Sequence, residues 1–312
     1  MTTAPVTRFS TSGTTGAPVG WLRTEAQLVA ETELLARLLD ADPAVRVDAV
    51  FTHAPPAHLY GHLTGVRLPE VLGVPVRQVP QTAAFDVGAA RHPLLVLLPA
   101  SFAVLERSSH AFAHCARVTM VFSSAAIPEA AGAVRAALGP RARLVELFGS
   151  TETGLVATRE HGGSPEWTLA PDVRFADALL AAGEGRLTVS SPRLAAREGE
   201  PPPGEHRLDD LVRVTGPATF RWEGRDGRLL KVNGRRLDVD RLLSELAGAA
   251  PGHVLRCCPE RDDVRGEWFT VTVEPTETAA AGAGVPATLA AAVEALPAWQ
   301  RPRALIPVAR NS

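Results

Sequence analysis

The sequence predicts an α/β protein with a mostly parallel sheet, flanking helices and a smaller second domain. Over roughly the first 150 residues, short apolar runs alternate with amphipathic segments, as expected for parallel strands joined by helices. After Gly149 the runs shorten and are separated by Gly, Pro and acidic turns, which favours a small antiparallel or barrel-like β subdomain. From Arg225 the order strand, helix, strand, strand, helix, strand indicates a compact α+β unit. We therefore expect a core over 1–224, divided into a sheet over 1–150 and a β subdomain over 151–224, and a second domain over 225–312.

The elements of the first sheet follow from local patterns. Thr24 and Gln27 have the spacing of a capping box, so a helix is expected to begin there. Its apolar stripe is Leu28, Leu34, Leu35, Leu38 and Leu39. The apolar runs predict strands at 47–51, 74–76, 94–98, 118–122 and 144–147, with helices to about 72, from about 101 and over 129–138.

The composition excludes several classes of protein. The formal net charge is −2, so neither nucleic acid nor an anionic membrane surface is an expected partner. The most hydrophobic run, at 94–98, is too short to span a bilayer, and the first residues do not predict a signal peptide. Three cysteines, two of them adjacent, form no disulfide framework, so a reducing cytoplasm is expected.

Lys231 is the only lysine of the chain, and the other 31 of its 32 Lys and Arg side chains are arginines. Arginine replaces lysine wherever a solvated positive charge is enough, but not where a compact ammonium group is needed. Lys231 is therefore a candidate functional residue, and its chance survival is the alternative.

A stretch of small hydroxyl residues and glycines follows the first apolar run, from Ser10 to Gly20. Backbone N–H groups and hydroxyls in such a turn can surround an anion. The stretch lacks the Gly-Lys-Ser/Thr ending of a Walker loop, and a flexible linker is the alternative. The candidate phosphate-binding residues are Ser12, Gly13, Thr14, Thr15 and Gly16.

A second candidate segment, from Phe148 to Thr153, follows a predicted strand, where open α/β sheets bind ligands. An aromatic ring such as Phe148 can stack on a nucleobase, and the carboxylate of Glu152 can hold a hard cation such as Mg²⁺. A solvated turn is the alternative for this segment.

These segments resemble motifs of the adenylate-forming superfamily, which includes acyl-CoA synthetases, peptide-synthetase adenylation domains and luciferases. The stretch 10–20 resembles Thr-Ser-Gly-Thr-Thr-Gly-x-Pro-Lys-Gly, with Val19 at the lysine position, and 148–152 resembles Tyr-Gly-x-Thr-Glu, with Phe148 at the tyrosine. The resemblance implies that Phe148, Gly149 and Ser150 lie by the nucleotide, that Thr151 reaches the phosphate and that Glu152 holds Mg²⁺.

The resemblance extends to two segments beside the expected substrate pocket. Residues 55–61 are similar to Pro-x-Phe-His-x-x-Gly, and 123–128 to a Gly-Gly-Ala-Pro-type segment. It implies that His58, Ser123 and Ala126 border the substrate and that Ser124 and Ala125 touch the nucleotide. A metal site at His58 and His62, four residues apart, is the weaker alternative for the first segment.

The C-terminal part of the chain resembles the hinge and mobile lid domain of the same superfamily. Residues 206–211 are similar to Tyr-Arg-Thr-Gly-Asp-Leu, which implies that Asp210 accepts hydrogen bonds from the ribose, although Asp209 replaces the glycine. Residues 224–237 are similar to Gly-Arg-x-x-x-x-x-Lys-x-x-Gly-x-Arg-Ile. Arg225 is then expected to contact the ribose, and Lys231 to enter the site for thioester formation.

The resemblance implies an ATP- and Mg²⁺-dependent ligase that forms an acyl-adenylate and transfers the acyl group to coenzyme A or to carrier-protein phosphopantetheine. It also implies a shortened member that lacks most of the N-terminal subdomain and the final catalytic lysine, so we expect weakened adenylation. Two alternatives stay open: a degenerate nucleotide- or acyl-binding partner subunit, and a ligase that acts on an amine. The sequence names neither the acid nor the oligomeric state.

Overall fold

The computed structural model describes residues 6–11, 19–40, 44–123, 127–128, 130–225, 229–232, 235–262, 266–276 and 284–308. Its strands are β1 (Val6–Thr11), β2 (Val19–Thr24), β3 (Ala49–Thr52), β4 (Val76–Gln78), β5 (Pro93–Leu97), β6 (Val118–Phe122), β7 (Ala142–Ser150), β8 (Gly154–Glu160), β9 (Trp167–Leu169), β10 (Arg174–Phe175), β11 (Glu184–Ser190), β12 (Ala196–Arg197), β13 (His206–Gly216), β14 (Thr219–Arg225), β15 (Leu229–Val232), β16 (Arg235–Asp238), β17 (His253–Asp262), β18 (Gly266–Pro275) and β19 (Leu305–Pro307).

The helices are α1 (Glu25–Leu39), α2 (Leu59–His62), α3 (Leu68–Leu72), α4 (Pro99–Ser108), α5 (Ala130–Leu138), α6 (Asp177–Ala182), α7 (Val239–Ala247) and α8 (Ala287–Ala295). A π-helical turn at Leu63–Arg67 joins α2 to α3, and 3₁₀ turns lie at Ser109–Phe112, Gly139–Arg141 and Ala298–Gln300. None of the helices in the described ranges is long and apolar enough to cross a membrane.

Two compact units divide the chain. The first contains Met1–Leu208 and Val212–Trp222, and the second contains Asp209–Leu211 and Glu223–Ser312. The expected domain boundary at 224/225 stays a prediction, because compact units defined by contacts do not show whether each part folds as a separate domain.

The first unit is organised around a large mixed sheet. Among the described residues its strand order is β10-β11-β13-β14-β9-β8-β7-β6-β5-β3-β4. Strands β4, β3, β5, β6 and β7 run parallel, and β8 returns antiparallel to β7. The expected α/β class with a mostly parallel core and flanking helices is confirmed.

The first unit differs from the expectation in one respect and contains one feature that was not predicted. A separate barrel-like subdomain was expected after Gly149, but among the described residues β8 pairs with β7, and β9, β14, β13, β11 and β10 extend the same sheet. Strand β12 instead pairs with β2 in a three-stranded sheet with β1. The feature that was not predicted is that the glycine-rich stretch joins two antiparallel strands, β1 and β2, with Thr11 opposite Val19. Helix α1 begins at Glu25, directly after the capping residue Thr24, as expected.

Apolar side chains alternate between the two faces of the sheet, as the period of a β-strand requires. Leu94 and Val96 of β5 belong to one core, together with Leu28 and Leu35 of α1. Leu95 and Leu97 belong to a second core with residues of α4 and α5. All five residues of β5 and of β6 are buried, which explains their unbroken apolar sequences. The expected capping box is confirmed, with Thr24 and Gln27 bonded reciprocally at the start of α1.

The second unit is an α+β unit with a core of its own. A short hairpin, β15–β16, pairs through β15 with β18, and the long strands β17 and β18 form a second hairpin. Helices α7 and α8 contribute Leu242, Leu246 and Leu289 to the apolar core against Phe269 and Val271.

Candidate functional site

A pocket of about 150 Å³ lies in the first unit, where β6 and β7 reach their carboxyl ends. It is lined by residues of α1, by the segment from His58 to Thr64, and by the β7–β8 connection. Six of the residues nominated from the sequence line it: His58, Ser123, Phe148, Gly149, Ser150 and Thr151. Segments that are far apart in the chain are thus brought together at the edge of the sheet where α/β proteins bind ligands.

The remaining described lining is mostly apolar. It includes the leucine side chains of α1, of the π-helical turn, of β7 and of β8: Leu35, Leu63, Leu147 and Leu155. Phe148 packs edge-on against Trp167 and Phe220, with ring centroids 5.2 and 5.5 Å away. These two aromatic contacts fix the orientation of the Phe148 ring in the pocket wall.

Tyr60, the only tyrosine of the chain, lines the same pocket. Its hydroxyl lies 2.9 Å from the carbonyl oxygen of Val121 and 3.2 Å from that of Leu97, at the ends of β6 and β5. Burial raises the pKa of Tyr60, so the phenol stays protonated and donates to these carbonyls. The Thr64 hydroxyl donates to the Tyr60 carbonyl over 2.6 Å. Both hydroxyls therefore fix the pocket wall.

A tight connection between β7 and β8 carries Thr151 and Glu152. Strand β7 continues to Ser150, three residues beyond the expected end at Leu147. The Ser150 N–H donates to Thr153 Oγ1, and the Thr153 N–H donates to Ser150 Oγ. Two glycines are required, because a Cβ at Gly149 would lie 2.0 Å from the Gly154 carbonyl oxygen and Gly154 has φ +69°. We call residues 150–154 the acidic turn.

A buried charged network, which the sequence analysis missed, supports this turn. Arg23 on β2 is 0 % exposed, Glu31 on α1 is 2 % exposed, and Arg193 is 1 % exposed. Arg23 donates from Nη2 to the Thr151 carbonyl at 3.0 Å and from Nη1 to Glu31 Oε2 at 3.1 Å. Arg193 makes two hydrogen bonds to Asp172, at 2.7 and 2.9 Å.

Electrostatics in this network oppose the cost of burial. Burial lowers the pKa of Arg23, and the neighbouring Glu31 counteracts that effect. Burial also works against the charge on Arg193, but its hydrogen bonds with Asp172 and the charge of Glu31 outweigh burial and raise its pKa. The Asp172 pKa is lowered by the Arg193 hydrogen bond. A signal for the network was present, since Glu31 interrupts the apolar stripe of α1 at i+3 from Leu28.

Glu152 itself is half-buried and is not among the described residues that line the pocket. Its carbonyl oxygen accepts a hydrogen bond from the Ala195 N–H at 2.8 Å, and its carboxylate lies close enough to Arg23 to favour the charged guanidinium. The backbone of the acidic turn is thus held by β2 through Thr151 and by the segment before β12 through Glu152.

His58 and His62 do not form a metal centre with their described surroundings. Among the described residues, no group of three or more His, Cys, Asp or Glu side chains could hold a metal ion. His62 instead packs edge-on against Phe9, with ring centroids 5.4 Å apart, and burial lowers its pKa.

The other nominated residues, apart from Glu152, belong to the second unit or fall outside the described part of the structure. Asp210 is on β13, is 4 % exposed and belongs to the second unit, as do Arg225 at the end of β14 and Lys231 on β15. The side chains of Arg225 and Lys231 lie outside the described part of the structure. Also outside it are Ser12, Gly13, Thr14, Thr15 and Gly16 of the glycine-rich stretch and Ser124, Ala125 and Ala126 after β6.

The large mixed sheet, with its pocket at the carboxyl ends of β6 and β7, defines an α/β protein of the type that binds ligands at the sheet edge. The family model described as AMP-binding enzyme matches residues 4–176, and the chain belongs to that family. A 4-coumarate–CoA ligase of Halorhodospira halophila is 31 % identical over 254 residues, which cover 80 % of this chain and 55 % of that protein. A 4-coumarate–CoA ligase of Rhodobacter capsulatus is also 31 % identical, over 249 residues that cover 78 % and 58 % of the two chains. The chain spans about half the length of the curated relatives it matches.

Solved structures share the fold. ATP-bound MatB from Rhodopseudomonas palustris matches with a TM-score of 0.66 and 20 % identity, covering 98 % of this chain and 65 % of that one. The anthranilate CoA ligase AuaEII in complex with anthranoyl-AMP matches with a TM-score of 0.68 and 16 % identity, covering 96 % and 63 %. At these identities the comparison establishes the architecture.

Proposed function

We propose that this protein is an AMP-forming ligase that activates a carboxylic acid with ATP and passes the acyl group to a thiol. The observation that carries the proposal is the pocket, which gathers six nominated residues, two of them in the acidic turn. Family membership supports the same reaction class. In the first step the acid's carboxylate attacks the α-phosphorus of ATP, which releases pyrophosphate and leaves an acyl-adenylate. In the second step a thiol displaces AMP and forms a thioester.

The residues would act by position and charge. Phe148 supports the adenine, the Thr151 hydroxyl donates to a phosphate oxygen, and the glycine-rich stretch from Ser12 to Gly16 supplies further amide and hydroxyl donors. Asp210 and Arg225 are proposed to bind the ribose. Since Val19 provides no charge, the phosphates rely on dipoles and on the metal ion.

Glu152 is proposed to hold Mg²⁺. Its carboxylate is a hard oxygen ligand on a turn that is fixed on both sides, which suits the ion. The described residues contain no group of three or more His, Cys, Asp or Glu side chains that could hold a metal ion by themselves. A single carboxylate still fits Mg²⁺, which commonly takes one or two protein carboxylates together with substrate phosphates and waters. The ion would neutralise phosphate charge as pyrophosphate leaves.

The pocket size points to an acid with a compact apolar group. A cavity of about 150 Å³ lined by apolar side chains accommodates a benzene-sized ligand, and this pocket has that volume and a largely leucine lining. We propose an aryl or similarly sized aliphatic acid, with His58, Ser123 and Ala126 beside the carboxylate. The names of the relatives, 4-coumarate–CoA ligase and anthranilate CoA ligase, support an aryl acid and coenzyme A as acceptor. Carrier-protein phosphopantetheine remains the second candidate thiol.

One observation favours a second candidate function. Val19 stands on β2 where the resemblance expects the phosphate-loop lysine, and it pairs with Thr11 as an ordinary strand residue. A nucleotide- or acyl-binding subunit without adenylation would tolerate that change.

ATP–pyrophosphate exchange separates the two candidates. The purified chain is supplied with Mg²⁺, ATP and, in turn, benzoate, 4-coumarate, anthranilate and malonate. We expect acid-dependent exchange with the ring acids, whereas nucleotide binding without exchange for every acid would favour the binding subunit.

Thioester formation is tested separately by supplying benzoyl-AMP and coenzyme A. We expect Lys231→Ala to slow this step, because the lysine is proposed to enter the site in that half-reaction. An unchanged rate contradicts that role, and faster turnover with an amine than with the thiol favours an amide-forming ligase.

A further inference from the structure

The charged network behind the acidic turn has no role in the mechanism above, yet it is costly. Removing charges from water costs several kcal/mol per ion, and replacing buried ion pairs with apolar groups is often neutral or stabilising. Arg23, Glu31 and Arg193 are nonetheless almost fully buried. A purely structural role would be served as well by leucine or methionine, so the contacts that the network makes with the turn need an explanation.

Glu31 is the centre of the network. Its Oε1 accepts the Leu155 N–H at 2.7 Å, and its Oε2 lies 3.1 Å from Arg23 Nη1 and 3.4 Å from Arg193 Nη1. The carboxylate also lies against Gly154, where a Cβ would be 2.3 Å from Oε2. One carboxylate therefore contacts Gly154, the last residue of the acidic turn, binds the N–H of Leu155, the next residue of β8, and balances two guanidinium groups.

The two arginines reach the backbone on both sides of the turn. Arg23 binds the Thr151 carbonyl from Nη2 and the Arg193 carbonyl from Nη1, at 3.0 and 2.8 Å. Arg193 Nη2 donates to the Leu155 carbonyl at 2.7 Å. Glu31 thus binds the N–H of Leu155 and Arg193 binds its carbonyl. Arg23 of β2 binds the carbonyl of Thr151. Arg23 lies four residues after Val19 on the strand that leaves the glycine-rich stretch.

We propose that Glu31, together with Arg23 and Arg193, is a positioning residue that fixes the acidic turn so that Thr151 and Glu152 are pre-arranged for the adenylation transition state. This inference rests on the proposed function. Glu31 lines the pocket wall and also orders the turn, so it links acid binding to the geometry of the reacting phosphate. A displacement of about 1 Å at reacting groups can cost on the order of 10² in rate, which sets the scale of the expected effect.

The principal test is Glu31→Gln, which keeps the size of the side chain but removes the charge that balances the two arginines. We expect kcat for pyrophosphate exchange to fall about 10- to 100-fold, with KM for ATP changing less than about threefold. Arg23→Lys is the second variant, because it keeps a charge beside Glu31 but lacks the fork that reaches the Thr151 and Arg193 carbonyls. It is expected to remain folded and to lower kcat in the same way.

Asp40→Asn is the matched control. Asp40 lies at the end of the same helix, with its side chain 3 % exposed, and its carboxylate likewise binds one backbone N–H, that of Val47, and one arginine, Arg46. It is nine residues from Glu31, about 13 Å along the helix axis. We expect Asp40→Asn to lower the thermal midpoint without changing kcat, which separates positioning from general stability.

Hydrogen exchange provides a readout that does not depend on activity. In Glu31→Gln and Arg23→Lys we expect amides of residues 151–156 to exchange about tenfold faster than in the wild type, with amides of α5 and β6 unchanged. Failure of the wild type to exchange pyrophosphate with any acid would refute the proposed function, and the hydrogen-exchange arm would still decide whether the network orders the turn. The positioning role would be overturned if both variants kept the wild-type kcat and the wild-type rate of amide hydrogen exchange at residues 151–156.

Discussion

The two ends of the parallel strands bury polar side chains in different ways. At the carboxyl ends of β6 and β7, beside the pocket, Arg23, Glu31 and Arg193 are buried as charges. At the amino ends of β5 and β6, His92 is 2 % exposed, and its imidazole ring is bonded to neutral partners. Since Val45 O can only accept, His92 Nδ1 donates to it at 2.7 Å, and Nε2 then accepts from the Thr119 hydroxyl at 2.8 Å.

This difference separates a structural use of polar groups from a functional one. At the amino end, the neutral His92 ring satisfies the Val45 carbonyl and the Thr119 hydroxyl without burying a charge. The charged network at the carboxyl end has an electrostatic cost and contacts the backbone of the acidic turn at Thr151, next to Glu152. We therefore expect substitutions at the carboxyl end to affect turnover and substitutions at the amino end to affect stability alone.

The largest effect is expected for Glu152→Gln. Removal of the proposed Mg²⁺ ligand should lower the rate of pyrophosphate exchange by about 10²–10³, the range seen when one group that stabilises transition-state charge is lost. Steady-state exchange at several Mg²⁺ concentrations measures it. The control is Glu160→Gln at the far end of β8, whose side chain is 54 % exposed and pairs with Arg143. Equal rates for both variants would remove Glu152 from the mechanism.

His92→Leu tests the amino end. The substitution leaves the Val45 carbonyl and the Thr119 hydroxyl without their partner, and each buried unsatisfied group costs about 1–3 kcal/mol. We expect the free energy of unfolding in urea to fall by about 2 kcal/mol or more, while kcat per folded molecule stays unchanged. His110→Leu on the exposed 3₁₀ turn should change neither quantity. A lower kcat in His92→Leu would contradict the division between the two ends.

The smallest expected effect is on the pH dependence of stability. Burial lowers the pKa of His92 and of His53, whose ring stacks on Phe85. The unfolded chain therefore binds more protons below about pH 6.5, so each histidine makes a contribution to stability that is complete above that pH and is lost as the pH falls towards the folded-state pKa. The pKa of His62 is lowered in the same direction.

Urea unfolding at pH 7, 6 and 5 measures this dependence. We expect the free energy of unfolding to fall towards pH 5, with a slope of at most about 1.4 kcal/mol per pH unit for each histidine. The slope should be shallower in His92→Leu. An identical slope in that variant would show that His92 does not contribute.

The sequence was a good guide where structure is set locally. The capping box at Thr24 fixed the start of α1, and the unbroken apolar runs located β5 and β6 to within a residue. The segment 148–151 could be nominated as part of a ligand-binding site because an aromatic residue, a glycine and two hydroxyl residues follow the strand predicted at 144–147. The prediction that this segment lies near His58 and Ser123 came from the family resemblance. Residues 148–151 line the same pocket as His58 and Ser123.

Long-range pairing could not be read from local patterns. Short polar-flanked strands such as β9 carry no signal that distinguishes a separate barrel from an extension of the main sheet. The partners of the charged network lie 8 to 170 residues apart, as in Arg23 with Glu31 and with the Arg193 carbonyl. Glu31, within the apolar stripe of α1, indicates that a polar or charged partner must be buried beside it. The identity of that partner depends on how the sheet brings distant segments together.

ATP–pyrophosphate exchange by the purified chain, with Mg²⁺ and benzoate, addresses the proposed activity most directly. The account predicts pyrophosphate exchange that requires the acid and Mg²⁺, is slowed about 10²–10³-fold in Glu152→Gln and about 10- to 100-fold in Glu31→Gln. Measurable ATP binding with no exchange for any acid of the panel would contradict it.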